Sequence, residues 1–327
     1  MASRKPLVKN AHELSASMRP VLLSKRANVF YFEHVRIMQR NDCVVFMTNT
    51  RSKEDQIFNL PDKNTAFVLL GKGTSITDQA ARKLAESGVL VGFVGSGGSP
   101  IYAITEPVFL TPHSEYGPTE YMQKWVLNWM NESLRLSMAK ALLIRRITLT
   151  QKLWTFFSKE TGAAIVVPET AKSKFLASIQ VSKDTQSLLL AEALWAKSLY
   201  AAMSGHYGMK FIRCAGGRVD TSPVDRANSF LDHGNYLAYG YSGVTLSTLG
   251  ISFAFPVLHG KTRRGALVFD IADLFKDGLV MPLAFHAAAT NKDDKYFRAK
   301  IIDYAFDLSI LDTIFDTIKE LIELKPQ

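Results

Sequence analysis

Cysteine is scarce in this chain: Cys43 and Cys214 are the two in 327 residues. That excludes a disulfide framework and a cysteine-built zinc site, and it suits a reducing compartment. No stretch approaches ~18 uninterrupted apolar residues, so a membrane-spanning helix is not expected. The first twenty residues carry charged and polar groups where a secretory signal needs an apolar core. Internal repeats and low-complexity tracts are missing, and so is the G-x-x-x-x-G-K-[ST] spacing of a phosphate loop. By elimination the sequence reads as a soluble protein of the cytoplasm with no membrane partner.

What is present is enough apolar material for a large core. Hydrophobic residues make up 47% and charged residues 21%, which suits one or two globular domains. The net charge is +9, unevenly spread: residues 1–110 carry +5, residues 111–265 carry +8, and residues 266–327 carry −4. A basic body points to a polyanionic partner, nucleic acid first. The acidic end reads either as a solvated helical face or as the holder of a metal.

Residues 20–110 read as mostly β. Asn28-Val-Phe-Tyr-Phe, Asp42-Cys-Val-Val-Phe-Met and Thr65-Ala-Phe-Val-Leu-Leu-Gly71 are short aromatic or β-branched runs, and the third is closed by glycine. A helix over residues 79–87 stops at Gly88, and strands are expected at 89–94 and 101–104. From about Thr119 the pattern turns helical. Helices are expected over residues 121–153, 188–203, 228–248, 266–275, 282–290 and 297–322, with residues 209–223 as a loop. Pro107, Pro112, Gly117 and Pro118 place the boundary within residues 106–118. The fold class is therefore α+β, with a β-rich N-terminal domain over 1–108 and a larger all-α domain over 109–327. Two glycine-rich stretches are read as turns. Gly71-Lys-Gly-Thr-Ser-Ile-Thr is a turn with a helix cap, and Gly92-Phe-Val-Gly-Ser-Gly-Gly leads to another strand rather than to a dinucleotide-binding helix.

Chemistry concentrates between His259 and Asp277. On a helix, Asp270 and Asp273 share a face at i,i+3, in an apolar setting where two carboxylates repel and a hard divalent cation relieves them. His259 lies just upstream, and oxygen plus one nitrogen without thiolate suits Mg²⁺ or Mn²⁺. Lys261, Arg263 and Arg264 add phosphate-binding charge beside this group. Glu192, alone on an apolar helix, is the best third carboxylate. The same residues also allow a plain reading. Asp270 would cap or pair, Asp273 would pair with Lys276, His259 would be a loop histidine, and Glu192 would be exposed or paired. Asp277 reads as a helix-end group or a neighbour of the ligands.

Several segments, in order over about 250 residues, resemble CRISPR-associated protein one, the integrase and endonuclease of spacer acquisition, in its subtype I-F branch. They are Leu22-Leu-Ser-Lys-Arg-Ala-Asn28, Leu69-Leu-Gly-Lys-Gly-Thr-Ser-Ile-Thr77, Ala85-Glu-Ser-Gly-Val-Leu-Val-Gly-Phe93, Leu110-Thr-Pro-His-Ser-Glu-Tyr116, Pro118-Thr-Glu-Tyr-Met-Gln-Lys-Trp125, Asn228-Ser-Phe-Leu-Asp-His-Gly-Asn-Tyr-Leu-Ala-Tyr-Gly240 and His259 through Asp277. The resemblance implies homodimerisation through the N-terminal domains and a metal site of one glutamate, one histidine and one or two aspartates. Those positions fall on Glu192, His259 and Asp270 as ligands. Asp273 becomes a fourth catalytic residue, in the shell or beside it. Ala191 stands where relatives carry a second acidic residue. The implied reaction is transesterification, in which a 3′-hydroxyl of a short DNA attacks the leader end of a repeat array. Protospacer duplex, branched DNA and the leader–repeat array are the implied DNA partners. Lys261, Arg263 and Arg264, with Asn228 and Asn235, would hold DNA. A further implied partner is CRISPR-associated protein two, fused to the interference helicase–nuclease. The competing readings are a non-catalytic basic DNA-binding dimer and a metal-dependent nuclease outside CRISPR systems.

Overall fold

The computed structural model describes residues 26, 28–48, 56–93, 119–214, 222–260 and 265–325. The expected turn and strand over 95–104 and the expected boundary at 106–118 lie outside them. Seven short strands come first: β1 (Asn28–Phe32), β2 (Val35–Arg40), β3 (Cys43–Thr48), β4 (Gln56–Leu60), β5 (Thr65–Leu70), β6 (Ser75–Ile76) and β7 (Leu90–Phe93). Helix α1 (Asp78–Glu86) lies between the last two. Thr77 caps it by accepting from the Ala80 amide, which settles the Gly71–Thr77 stretch as turn and cap.

Two sheets result. One is parallel, in the order β1-β5-β7, and the other runs β4-β3-β2-β6. The β2–β3 hairpin closes on Asn41 and Asp42, both at positive φ, which matches the right-handed twist of a two-residue hairpin. Strand β5 is buried at all six positions, as expected for a strand covered on both faces. Val68 and Leu70 join the smaller core with Ile37, Val44 and Leu84. Phe67 and Leu69 face the helices.

The helical part comprises α2 (Glu120–Met130), α3 (Glu132–Thr161), α4 (Glu169–Val181), α5 (Thr185–Tyr207), α6 (Pro223–Thr248), α7 (Ala266–Phe275), a π turn (Lys276–Val280), α8 (Met281–Ala289), α9 (Asp294–Asp307) and α10 (Ile310–Ile322). Three expectations are corrected here. The helix expected over 121–153 is two helices, because Asn131 takes an extended conformation and its side chain accepts from the Leu134 amide. That cap starts a new helix despite the continuous apolar stripe. The helix expected over 297–322 breaks at Ser309, which sits at φ 49°. Helix α4 was not expected at all.

The parallel sheet is a wall shared by both parts. The Phe67 ring meets Tyr241 of α6 edge-on at 5.0 Å, and a Cβ on Gly240 would sit 2.9 Å from that ring. Only glycine allows this approach. Arg298 of α9 stacks 4.3 Å from the Tyr31 ring. The β-rich and helical parts thus share one continuous core that runs from Val29 and Phe67 through to α10. Among the described residues no helix is long and apolar enough to cross a membrane.

Candidate metal centre

Helix α7 is buried at nine of its ten positions, so any carboxylate on it needs partners inside the protein. Asp270 finds them in the loop that precedes the helix. Its Oδ2 accepts from the amides of Val257 at 2.7 Å and Leu258 at 3.1 Å. Its Oδ1 accepts from the His259 amide at 2.9 Å and lies 2.6 Å from His259 Nδ1. The carboxylate therefore pins three consecutive residues and the imidazole to α7. With Nδ1–H donating to Asp270, the lone pair of Nε2 points away from it. One turn along, Asp273 Oδ2 lies 4.0 Å from that Nε2.

Helix α5 supplies Glu192 next to its buried stripe of Leu188, Ala191, Trp195 and Leu199. One ligand atom each from Glu192, His259 and Asp273 falls within 4.8 Å of the other two. Around this trio sit two fixed cations. Lys276 pairs with Asp273 and lies 5.2 Å from the Tyr239 ring. Arg146, on α3, pairs with Glu192 and with Asp277, the latter at 2.7 Å, and lies 3.7 Å from Asp273. Asp277 also accepts from Trp195 Nε1 at 2.9 Å. Its carbonyl accepts from Trp154 Nε1 at 2.8 Å. The π turn is what turns Asp277 back toward Arg146, and Gly278 beside it has Leu153 where a Cβ would fall.

The charges decide what the centre can hold. Glu192, Asp273 and Asp277 face Arg146 and Lys276, and Asp270 faces the His259 imidazole, so four carboxylates stand against two fixed cations. With a neutral imidazole, two negative charges remain unmatched, which is the charge of one divalent cation. Burial would push the Asp273 carboxyl up, but Lys276 and Arg146 outweigh it and hold it at about 2. Burial raises the Glu192 carboxyl against the pull of Arg146. Burial lowers the His259 imidazole, but its bond to Asp270 and the nearby charges of Asp270, Asp273 and Glu192 raise it by more, so it ends above its ordinary value. The donor set of one imidazole nitrogen and two carboxylates fits a divalent metal ion.

The raised imidazole has a consequence for the metal-free protein. A folded pKa above the unfolded value stabilises the fold once the ring is protonated, and that stability is lost as pH rises through the folded pKa. In EDTA, the difference in urea midpoint between wild type and His259→Gln should be larger at about pH 6 than at about pH 8. An equal or reversed difference would contradict the assigned direction. Reference to the variant removes the opposing effect of His286, which burial lowers.

The residues expected from sequence are thus distributed unevenly. Glu192, His259 and Asp273 come together. Asp270, expected as a ligand, does not join them: both its oxygens are engaged by three amides and the imidazole. It orients His259 instead. The Asp273–Lys276 pair, weighed as an alternative to metal binding, is present alongside the trio. Asn228, expected at DNA, is 3% exposed. Its amide group is engaged by the Cys214 amide, Arg213, the Ile212 carbonyl and the Val224 carbonyl. It clamps residues 212–214 onto α6, and with its oxygen and its nitrogen both engaged it does not present a DNA contact at the surface. Asn235 lies two turns further along α6 and is half-buried. Lys261, Arg263 and Arg264 lie outside the described residues. Arg146 was not foreseen. The signal for it was its place on a buried stripe with Leu142, Leu143, Leu149, Thr150 and Leu153.

An α+β frame with this acidic and histidine centre in its helical part defines a class. Solved structures with the same frame include a Cas1 protein from Thermotoga maritima, with a TM-score of 0.68 and 14% identity over 90% of this chain and 96% of that one. A casposase bound to integration product matches with a TM-score of 0.63 and 13% identity over 92% of each chain. A TtCas1–DNA complex matches at 0.63 and 19% identity over 91% of this chain and 92% of that one. At the level of sequence, the family model of CRISPR associated protein Cas1 matches residues 31–303. The CRISPR-associated endonucleases Cas1 of Pseudomonas aeruginosa and Pectobacterium atrosepticum are each 39% identical to it. The first match covers 94% of this chain and 96% of the relative, the second 94% and 95%. The chain belongs to the Cas1 family.

Proposed function

We propose that the chain is a metal-dependent DNA endonuclease and integrase of CRISPR adaptation. The observation that carries this reading is the trio of Glu192, His259 and Asp273, with ligand atoms within 4.8 Å of one another in a centre two charges short of neutrality. Mg²⁺ or Mn²⁺ held there would supply charge stabilisation at a phosphoryl oxygen and activation of an attacking hydroxyl. The protein's own part is positional. Asp270 fixes the imidazole tautomer, Lys276 holds Asp273, and Arg146 holds Glu192.

In joining, the 3′-oxygen of a short DNA forms a bond to a phosphorus of the repeat array, and the bond from that phosphorus to the array's own 3′-oxygen breaks. Water as the attacking group gives a nick. Lys261, Arg263, Arg264 and Asn235 are the proposed backbone contacts. Such contacts position DNA without reading its bases and make binding fall steeply with salt. Two strands must be attacked at separated points, which favours a homodimer; the compartment in this reading is the cytoplasm. CRISPR-associated protein two, fused to the helicase–nuclease, would bridge it.

The test is a joining assay with the partner present. Wild type and Glu192→Gln receive Mn²⁺, a supercoiled repeat plasmid and short duplexes with free or blocked 3′ ends. Joined product is expected from wild type with free ends only. Nicking that never becomes joining, on any plasmid, would favour a nuclease outside CRISPR systems. DNA binding with neither product would favour the non-catalytic dimer.

A further inference from the structure

Arg146 is a permanent charge placed where a small protein core rarely tolerates one. Its side chain is 5% exposed, so it is not a contact for DNA phosphates, and a guanidinium at this depth is stable only among close counter-charges. Three carboxylate oxygens surround it: Glu192 Oε1, Asp277 Oδ2 and, at 3.7 Å, Asp273 Oδ2. Glu192 and Asp273 are also two of the three candidate metal ligands. The guanidinium and a bound ion would therefore share two carboxylates. Paired metal ions in phosphoryl-transfer sites lie about 3.5–4 Å apart, close enough to share carboxylates in the same way.

We propose that Arg146 is the fixed second cation of this centre, a positioning residue that fills the place of a second metal ion and limits the site to one. The inference rests on the metal-centre reading above. Arginine suits the task because it stays charged at any working pH and its planar fork reaches carboxylates on two sides. Asp277 suits the matching task, because Trp195 and Trp154 hold its side chain and backbone. With the guanidinium gone, the oxygens of Glu192, Asp273 and Asp277 would form an all-oxygen donor set, the kind that hard divalent cations take.

The experiment is Mn²⁺ titration of the full chain by calorimetry and electron paramagnetic resonance, for wild type, Arg146→Ala and Arg146→Lys. Wild type should saturate at one ion per chain with the spectrum of an isolated Mn²⁺. Arg146→Ala should take a second ion, with a spectrum broadened by coupling, and should gain more in melting temperature from Mn²⁺ than wild type does. Arg146→Lys should return to one ion. A folded Arg146→Ala that still binds one ion with an unchanged thermal shift would overturn the proposal, as would two coupled ions in wild type. If Arg146→Ala does not fold, Arg146→Gln, which keeps hydrogen-bond donors and removes the charge, takes its place with the same two outcomes: a second, coupled ion upholds the fixed cation, and a single ion refutes it. Wild type that binds no Mn²⁺ at all would instead sink the metal-centre reading on which this rests.

Discussion

Asp273→Asn is expected to reduce Mn²⁺-dependent nicking by more than ~100-fold while leaving the chain folded, a floor set by the 10–100-fold losses typical of residues that merely support a ligand. Asp273 holds a direct position: its Oδ2 faces His259 Nε2, and it is one of the three residues whose ligand atoms converge. Asparagine keeps the shape and loses the charge that a hard cation needs. The cost to folding should be modest, about 1.5–3 kcal/mol, the range for losing a hydrogen bond to a charged group. Lys276 would lose its partner, but its side chain is 20% exposed and lies over Tyr239, so water can reach it. Arg146 would keep Glu192 and Asp277. The decisive readout is thermal. Mn²⁺ at about 100 times its dissociation constant should stabilise wild type by about 2.7 kcal/mol, and that gain should vanish in Asp273→Asn. A retained gain would mean that the ion is held elsewhere.

Much of the architecture was legible because its signals are local. Thr65–Leu70 is an unbroken apolar run, and only a strand buried on both faces calls for one at that length. Thr77 before an apolar-periodic segment with Gly88 after it marks α1 from both ends. The failures were also local. The stripe through Trp125, Leu134, Met138 and Leu142 continues across Asn131 without a change of period, so a capping side chain split the helix where no pattern could. Helix α4 went unread because Lys172 and Lys174 dilute its short stripe of Phe175 and Ile179.

The site divides along a different line. Glu192 was expected to be paired or exposed, and it is paired, but nothing in its surroundings named Arg146, which lies 46 residues earlier in the chain. Asp270 and Asp273 share a helix face, and spacing gives them equal claims to an ion. What separates them is the loop at 257–259, whose amides all point into one carboxylate and not the other. That is a tertiary fact between an irregular segment and a helix, and no periodicity records it. Asn228 and Asn235 were likewise alike by spacing, seven residues apart on α6, until the packing of residues 212–214 against the first of them removed it from the surface.

The same contrast sets the other large expected effect. Asp270→Ala should destabilise the fold by about 3–5 kcal/mol, the range for removing one partner of a buried charged group. Its carboxylate is wholly buried, and its loss leaves the amides of Val257, Leu258 and His259 without acceptors, each worth about 1–3 kcal/mol when unmet inside a protein. Asp270→Asn should be nearly as damaging, because its NH₂ group would face donors where an acceptor is required. Freed from Asp270, the imidazole loses its fixed tautomer, so nicking per folded molecule should fall by about 10–100-fold, less than for Asp273→Asn. Urea unfolding in EDTA, paired with Mn²⁺ calorimetry on the folded fraction, separates the two aspartates. Loss of stability with weakened but measurable Mn²⁺ binding makes Asp270 the anchor of His259. Unchanged stability with binding abolished would make Asp270 a ligand, and would require its three amide partners to find acceptors that the present arrangement does not offer.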